Sequence, residues 1–186
     1  MSRTYTLKAR AQRQDETRQR IVDAAVELHQ TIGPDATTIT DVAERAGVGR
    51  VTVYRHFPDE LALLRACSGH FFAQHPFPDI DRWRAIDDRD ERANHGVREA
   101  YAWFRATDAM LSKTLPARRE HEIFAPYHAH WREAAKVLAR PRADKLARAA
   151  AALALSYDTW RTLTRDEGLS DAQAAQVAVG LAAEET

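Results

Sequence analysis

The chain has 186 residues, enough to bury a core without disulfides or a structural metal and to join a small module to a larger one. Its 27 Lys and Arg balance 27 Asp and Glu, so the totals give no sign of a polyanionic partner, and the single Cys67 excludes an intramolecular disulfide. No run approaches the roughly 20 apolar residues that span a bilayer, and without a secretory signal pattern the expected compartment is a reducing cytoplasm.

Charge is unevenly distributed. Within residues 1–20, Arg3, Lys8, Arg10, Arg13, Arg18 and Arg20 face only Asp15 and Glu16, a net of +4 against −4 for the rest. Residues 1–14 are expected to form a flexible basic arm, a pattern that suits either a polyanion or a solvated terminus. Strand signals are nearly absent, and helical periodicity dominates. A first helix is expected over Asp15–Thr31, with Ile21, Ala24, Ala25, Leu28 and Ile32 on one stripe and Gly33-Pro34 as the stop. A short helix starts near Ile39 behind Thr38, with Asp41 completing a capping box, and Gly47 ends it. A third covers Arg50–Phe57, and Asp59 caps a fourth whose stripe is Leu61, Leu64 and Ala66, running toward Phe71. After a proline-rich stretch over 75–90, helices are expected near 90–107, 108–115, 119–139, 143–166 and 170–183, with breaks at Pro116, Pro141 and Gly168.

The second and third helices, joined through Gly47-Val48-Gly49, have the form of a helix-turn-helix. Its second helix offers Arg50, Thr52, Arg55 and His56 outward and turns Val48, Val53 and Phe57 inward. Arginine forks onto guanine and threonine reaches a base edge or a thymine methyl. Tyr54 and His56 suit phosphates, and Thr38 places a hydroxyl at a helix N-terminus where anions are favoured. The same pattern in isolation also describes an ordinary helical hairpin with a charged face.

Residues 17–66, above all the run from Thr37 to Pro58 (TTITDVAERAGVGRVTVYRHFP), resemble the DNA-binding domain of tetracycline-repressor (TetR) family regulators. The resemblance implies that Arg50, Val51 and Thr52 face bases, that Tyr54, His56 and Thr38 hold phosphates, and that Arg55 does either. Two positions depart from the family pattern: Glu60 stands where a backbone-gripping lysine is usual, and Gly49 where a serine is commoner.

Beyond residue 70 the resemblance weakens, but Ala152–Leu163 and Gly168–Leu181 still look like the family's C-terminal helix pair, which implies a four-helix dimer interface. Leu153, Tyr157, Trp160, Val177 and Leu181 are its expected members, since they fall at helical spacing; the same stripes would also serve an internal core. The aromatic residues of this part would serve a plain core or line an effector pocket, and Tyr101, Phe104 and Tyr127 are the chosen pocket candidates. His121, Glu122, His128 and His130 invite a metal reading, but no histidine pair has i, i+4 spacing and no cysteine accompanies them, so no metal and no cofactor are expected. A helical enzyme using His121 and Glu122 would lack a nucleophile motif and a phosphate loop. The other competitor is a helical protein-binding module without DNA binding.

The expectation is thus an all-α chain: the arm (1–14), a three-helix helix-turn-helix DNA-binding domain (15–58) and a helical-bundle ligand-binding and dimerisation domain (59–186). It would act as a dimeric repressor, not an enzyme, on palindromic double-stranded operator DNA, released by an unidentified small-molecule effector.

Overall fold

The computed structural model describes residues 3–142 and 144–183, with backbone alone for 3–7, 117, 118, 182 and 183. Every regular element among them is helical. The chain divides into two units: residues up to Gln74 with Ala109–Ile123, and His75–Asp108 with the chain from Phe124 onward. The fourth helix packs on the first and belongs to the first unit, whereas the expected boundary lay at residue 58.

In the first unit, α1 (Arg3–Thr31) is longer than expected. Nothing between Arg3 and Gln14 is Gly or Pro, so the segment expected as a flexible arm continues the helix. Its core face carries Ile21, Val22, Ala24 and Ala25, while Ile32, assigned to that stripe, is 49% exposed because the helix has already ended at Thr31. The capping box of α2 (Ile39–Ala46) is present: Thr38 Oγ1 accepts from Asp41 N at 3.2 Å, and Asp41 Oδ2 accepts from Thr38 N at 2.8 Å. Gly47 closes α2 at φ 65°, a left-handed turn that glycine adopts without a Cβ penalty.

The next helix, α3 (Arg50–His56), buries Val53 completely, and Phe57, at its C-cap, is also buried. Asp59 Oδ1 accepts from Ala62 N at 2.7 Å and starts α4 (Glu60–Gln74). The buried face of α4 is Leu63, Leu64, Cys67 and Phe71, whereas Leu61 and Ala66 of the expected stripe are only half-buried. Apolar residues occupy most positions from 61 to 72, so periodicity alone could not select the face that meets α1.

The second unit begins with the short α5 (Ile80–Arg84), whose Trp83 is fully buried and donates to Glu99 Oε2 at 2.6 Å. Gly96 makes room for it: a Cβ there would lie 3.1 Å from the Trp83 ring and 2.9 Å from Leu138 Cδ1. The two helices expected at 90–107 and 108–115 are one, α6 (Arg89–Arg118). Pro116 sits in its last turn, where the missing N–H removes a single helical hydrogen bond. Its residues to Asp108 count with the second unit and those from Ala109 with the first.

A 3₁₀ turn (Glu122–Phe124) then leads into α7 (Ala125–Leu138), so the helix expected from 119 starts later, with Pro126 in its first turn. The helix expected over 143–166 is broken into α8 (Lys145–Ala154), α9 (Tyr157–Arg161) and a π-helical turn (Thr162–Asp166). Ser156 causes the break by capping α9, its hydroxyl accepting from Asp158 N at 3.2 Å. Before α10 (Asp171–Ala183), Ser170 and Gln173 form a second reciprocal cap. Among the described residues, no helix is long and apolar enough to cross a membrane.

Candidate nucleic-acid interface and aromatic core

The recognition surface of α3 is fixed from behind. Val53 is 0% exposed and Phe57 3%, and the Arg18 guanidinium lies over the Phe57 ring at 4.9 Å, so α1 clamps the end of α3. An ion pair between Arg45 and Glu27 ties α2 to α1. With Val53 inward, the helical repeat turns Arg50, Val51, Tyr54 and Arg55 to solvent. Val51 is 80% exposed and Tyr54 44%. A branched apolar side chain held this far into water gains nothing from the fold. Thr52 and His56 lie half-buried at the edges of the face. His56 is pushed toward its neutral form, first by burial and then by the charges of Arg55 and Arg18.

Thr38 is exposed, as expected, but its hydroxyl is committed. It accepts from Asp41 N and donates to Asp41 Oδ2 at 2.6 Å, and these bonds hold the Asp41 carboxyl below the usual range. A phosphate arriving there would meet instead the N–H groups of Ile39 and Thr40, which have no partner among the described residues. Gly49 stands at the N-cap of α3 and supplies no side-chain capping hydrogen bond. Glu60 is exposed at the first position of α4.

In the second unit, Tyr101 and Phe104 are 0% exposed and Tyr127 6%, all within a continuous aromatic cluster. Phe104 lies 4.9 Å from Trp131 between ring centroids, and Tyr127 lies 6.2 Å from Trp103. Phe77, which sequence reasoning missed, stacks on His130 at 4.5 Å and on Trp103 at 5.1 Å. Its flanking Pro76 and Pro78 hid it in an apparent loop. Burial lowers the pKa of His130 to about 4 and raises that of the Tyr101 phenol. Tyr101 Oη, His130 Nε2 and Trp131 Nε1 are buried and lack a hydrogen-bond partner among the described residues, a cost that a ligand acceptor would relieve. None of the three chosen residues lines the cavity of about 40 Å3 in this unit, which lies among Ala93, Val97, Leu138 and Ala151.

The interface candidates separate into two groups. Leu153 and Leu181 are each 59% exposed and Val177 39%, joined by Leu146 at 69%. Tyr157 and Trp160 are 3% and 0% exposed, so they are core residues and the expectation that they lie on the interface is corrected. The cause is polar as well as apolar. Trp160 Nε1 donates to Asp171 Oδ1 at 2.9 Å, its ring carries the Arg105 and Arg165 guanidiniums at 5.2 and 5.6 Å, and Tyr157 Oη donates to Asp108. Burial raises the Asp171 pKa, but the hydrogen bonds from Arg105 and Trp160 outweigh it and leave the carboxyl below its ordinary value. Of the histidines considered for metal, His121 Nδ1 accepts from Ile123 N at 3.3 Å and Glu122 pairs with Arg65. No group of three possible ligands is placed to hold a metal ion among the described residues.

Residues 21–67 match the model of the bacterial regulatory proteins of the tetR family, over the span that contains the capped α2, the glycine turn and α3. These residues match the DNA-binding domain of that family. SrpR, an HTH-type transcriptional regulator of Pseudomonas putida, is 41% identical over 80 residues, 39% of this chain and 37% of SrpR. The HTH-type transcriptional regulator TtgW, also of Pseudomonas putida, is 42% identical over 79 residues, 38% of this chain and 58% of TtgW. The chain thus matches under two thirds of the length of either curated relative. FadR, a transcriptional regulator from Bacillus subtilis solved in complex with stearoyl-CoA, superposes with a TM-score of 0.59 over 90% of this chain and 98% of its own, at 16% identity. The helical fold of that structure is therefore shared along nearly the whole chain.

Proposed function

We propose that the chain is a ligand-responsive transcriptional repressor that binds a palindromic operator as a dimer and leaves it when a small molecule binds the second unit. The observation that carries this reading is the outer face of α3, where Val51 is 80% exposed beside Arg50, Tyr54 and Arg55. Such a face suits a major groove: Val51 and Thr52 against thymine methyls, Arg50 on guanine, and Tyr54, Arg55 and His56 on flanking phosphates. Thr38 acts through the turn it caps, presenting the amides of Ile39 and Thr40 to a phosphate. The basic residues of α1 add a positive stripe.

Leu146 and Leu153 are two helical turns apart on α8, and Val177 and Leu181 one turn apart on α10, which packs against α8. Burying this apolar face against a second copy gives a two-fold dimer. Tyr157 and Trp160 support it from inside. The effector would enter the aromatic cluster at Tyr101, Phe104 and Tyr127. The unpartnered donors there favour an uncharged aromatic acceptor, and its binding matters only insofar as it favours a form with a different spacing of recognition helices. The protein would work in the cytoplasm, where operator DNA is.

Selection of bound sequences from a random double-stranded DNA pool at two salt concentrations tests this. Recovery of a palindrome whose half-sites lie about 34–36 Å apart or a multiple, with affinity falling steeply with salt, is expected. Recovery of no motif at low salt overturns the repressor reading.

A further inference from the structure

We propose that the DNA-binding unit carries a second small-molecule site, for a compact protonated amine, in the cavity beside the start of α2. This cavity has a volume of about 260 Å3 and lies wholly within the first unit, between the end of α1, the α2 cap and the first turn of α4. Val42, Leu61 and Leu64 supply apolar wall. His29 and His121 add two imidazoles, and Glu60 is the one residue of the lining with a formal charge.

The Glu60 carboxylate has no hydrogen-bond or ion-pair partner among the described residues. A lone anion on the rim of a hollow with an apolar wall complements a cation with an apolar body: the ammonium pairs with Glu60 while the body displaces water from that wall. Metal chemistry is not favoured, because no three ligating side chains converge among the described residues. Covalent capture is not favoured either: Cys67 is buried at 3.5 Å from His29 Nδ1, and burial raises its thiol pKa to about 11.

The site has a regulatory consequence, which rests on the reading that the N-terminal amides of α2 meet a DNA phosphate. Thr38 lines the same cavity. An amine paired with Glu60 cancels a negative charge beside that phosphate, so occupancy should tighten DNA binding, opposite in sign to release by an effector in the second unit.

The test is fluorine NMR titration of the full chain at pH 7.5 with 4-fluorobenzylamine, using 4-fluorobenzyl alcohol as the neutral isostere. Saturable binding is expected, with the amine about fivefold tighter than the alcohol, near the upper end for a solvent-exposed ion pair. Glu60→Gln, a conservative change at an exposed position, should abolish that preference. Absence of saturation by about 10 mM, equal affinity for amine and alcohol, or a preference that survives Glu60→Gln overturns the site. On a selected operator, the amine should tighten binding of the unaltered chain and leave Glu60→Gln unaffected. Amine binding without any operator recovery supports the site and overturns only its coupling to DNA.

Discussion

Replacing Trp160 by phenylalanine separates a core role from an interface role. Phenylalanine keeps an aromatic ring but deletes the N–H that donates to Asp171 at 2.9 Å. A hydrogen bond to a charged partner is worth about 1.5–3 kcal/mol. Asp171 keeps Arg105, at 3.0 Å from Nε and 2.7 Å from Nη2, so the loss should fall toward the lower end of that range. The smaller ring also weakens attraction to the two guanidiniums, by about 0.5 kcal/mol in all. The sum is about 2 kcal/mol, equivalent to a fall in Tm of about 4–8 °C for a chain of this size. Thermal unfolding at fixed protein concentration measures it, and sedimentation velocity on the same samples reads the oligomeric state. A lowered Tm with association unchanged is expected. An unchanged Tm with a shift to monomer would place Trp160 on the interface and refute the reasoning.

Leu153→Glu combined with Leu181→Glu should do the reverse, dissociating the dimer in sedimentation while leaving far-UV helicity intact, since both side chains are 59% exposed. Arg50→Ala should weaken binding to a selected operator by about 1–3 kcal/mol and relax preference at one guanine, read by competition with base-substituted operators; unchanged preference would remove Arg50 from base reading. His130 in the folded chain has a pKa of about 4 against the ordinary 6.5, so between those values the unfolded chain binds the proton and the folded chain refuses it. Its contribution is complete above pH 6.5 and is lost as pH falls toward 4, by about 2–3 kcal/mol. His130→Phe, which preserves a ring against Phe77, should flatten that limb of the stability profile in urea titrations; an unaltered limb would assign the acid sensitivity elsewhere.

The DNA-binding half was legible because its signals are local. Thr38 and Asp41 are three residues apart and Gly47 needs only its own backbone freedom, so the cap and the turn could be read from neighbours in sequence. Val53 and Phe57 faced inward as the helical repeat required. Even there the geometry added something: the hydroxyl of Thr38 is occupied by Asp41.

The second unit was less legible, because its alternatives differ only in what lies across the core. Trp160 and Leu153 share one helical stripe in sequence, yet Asp171 and two arginines draw Trp160 inside while Leu153 stays in water. The unexpected interruption at Ser156 and the unbroken run of α6 past residue 107 follow from capping and packing that no hydropathy period encodes. The sequence by itself determined the helical class, the capped turn and the residues on the outer face of α3, since each depends on spacing within one or two turns. The tertiary structure alone decided which aromatic residues are core, where α4 buries its face, and that Glu60 guards a cavity, since burial depends on segments far apart along the chain.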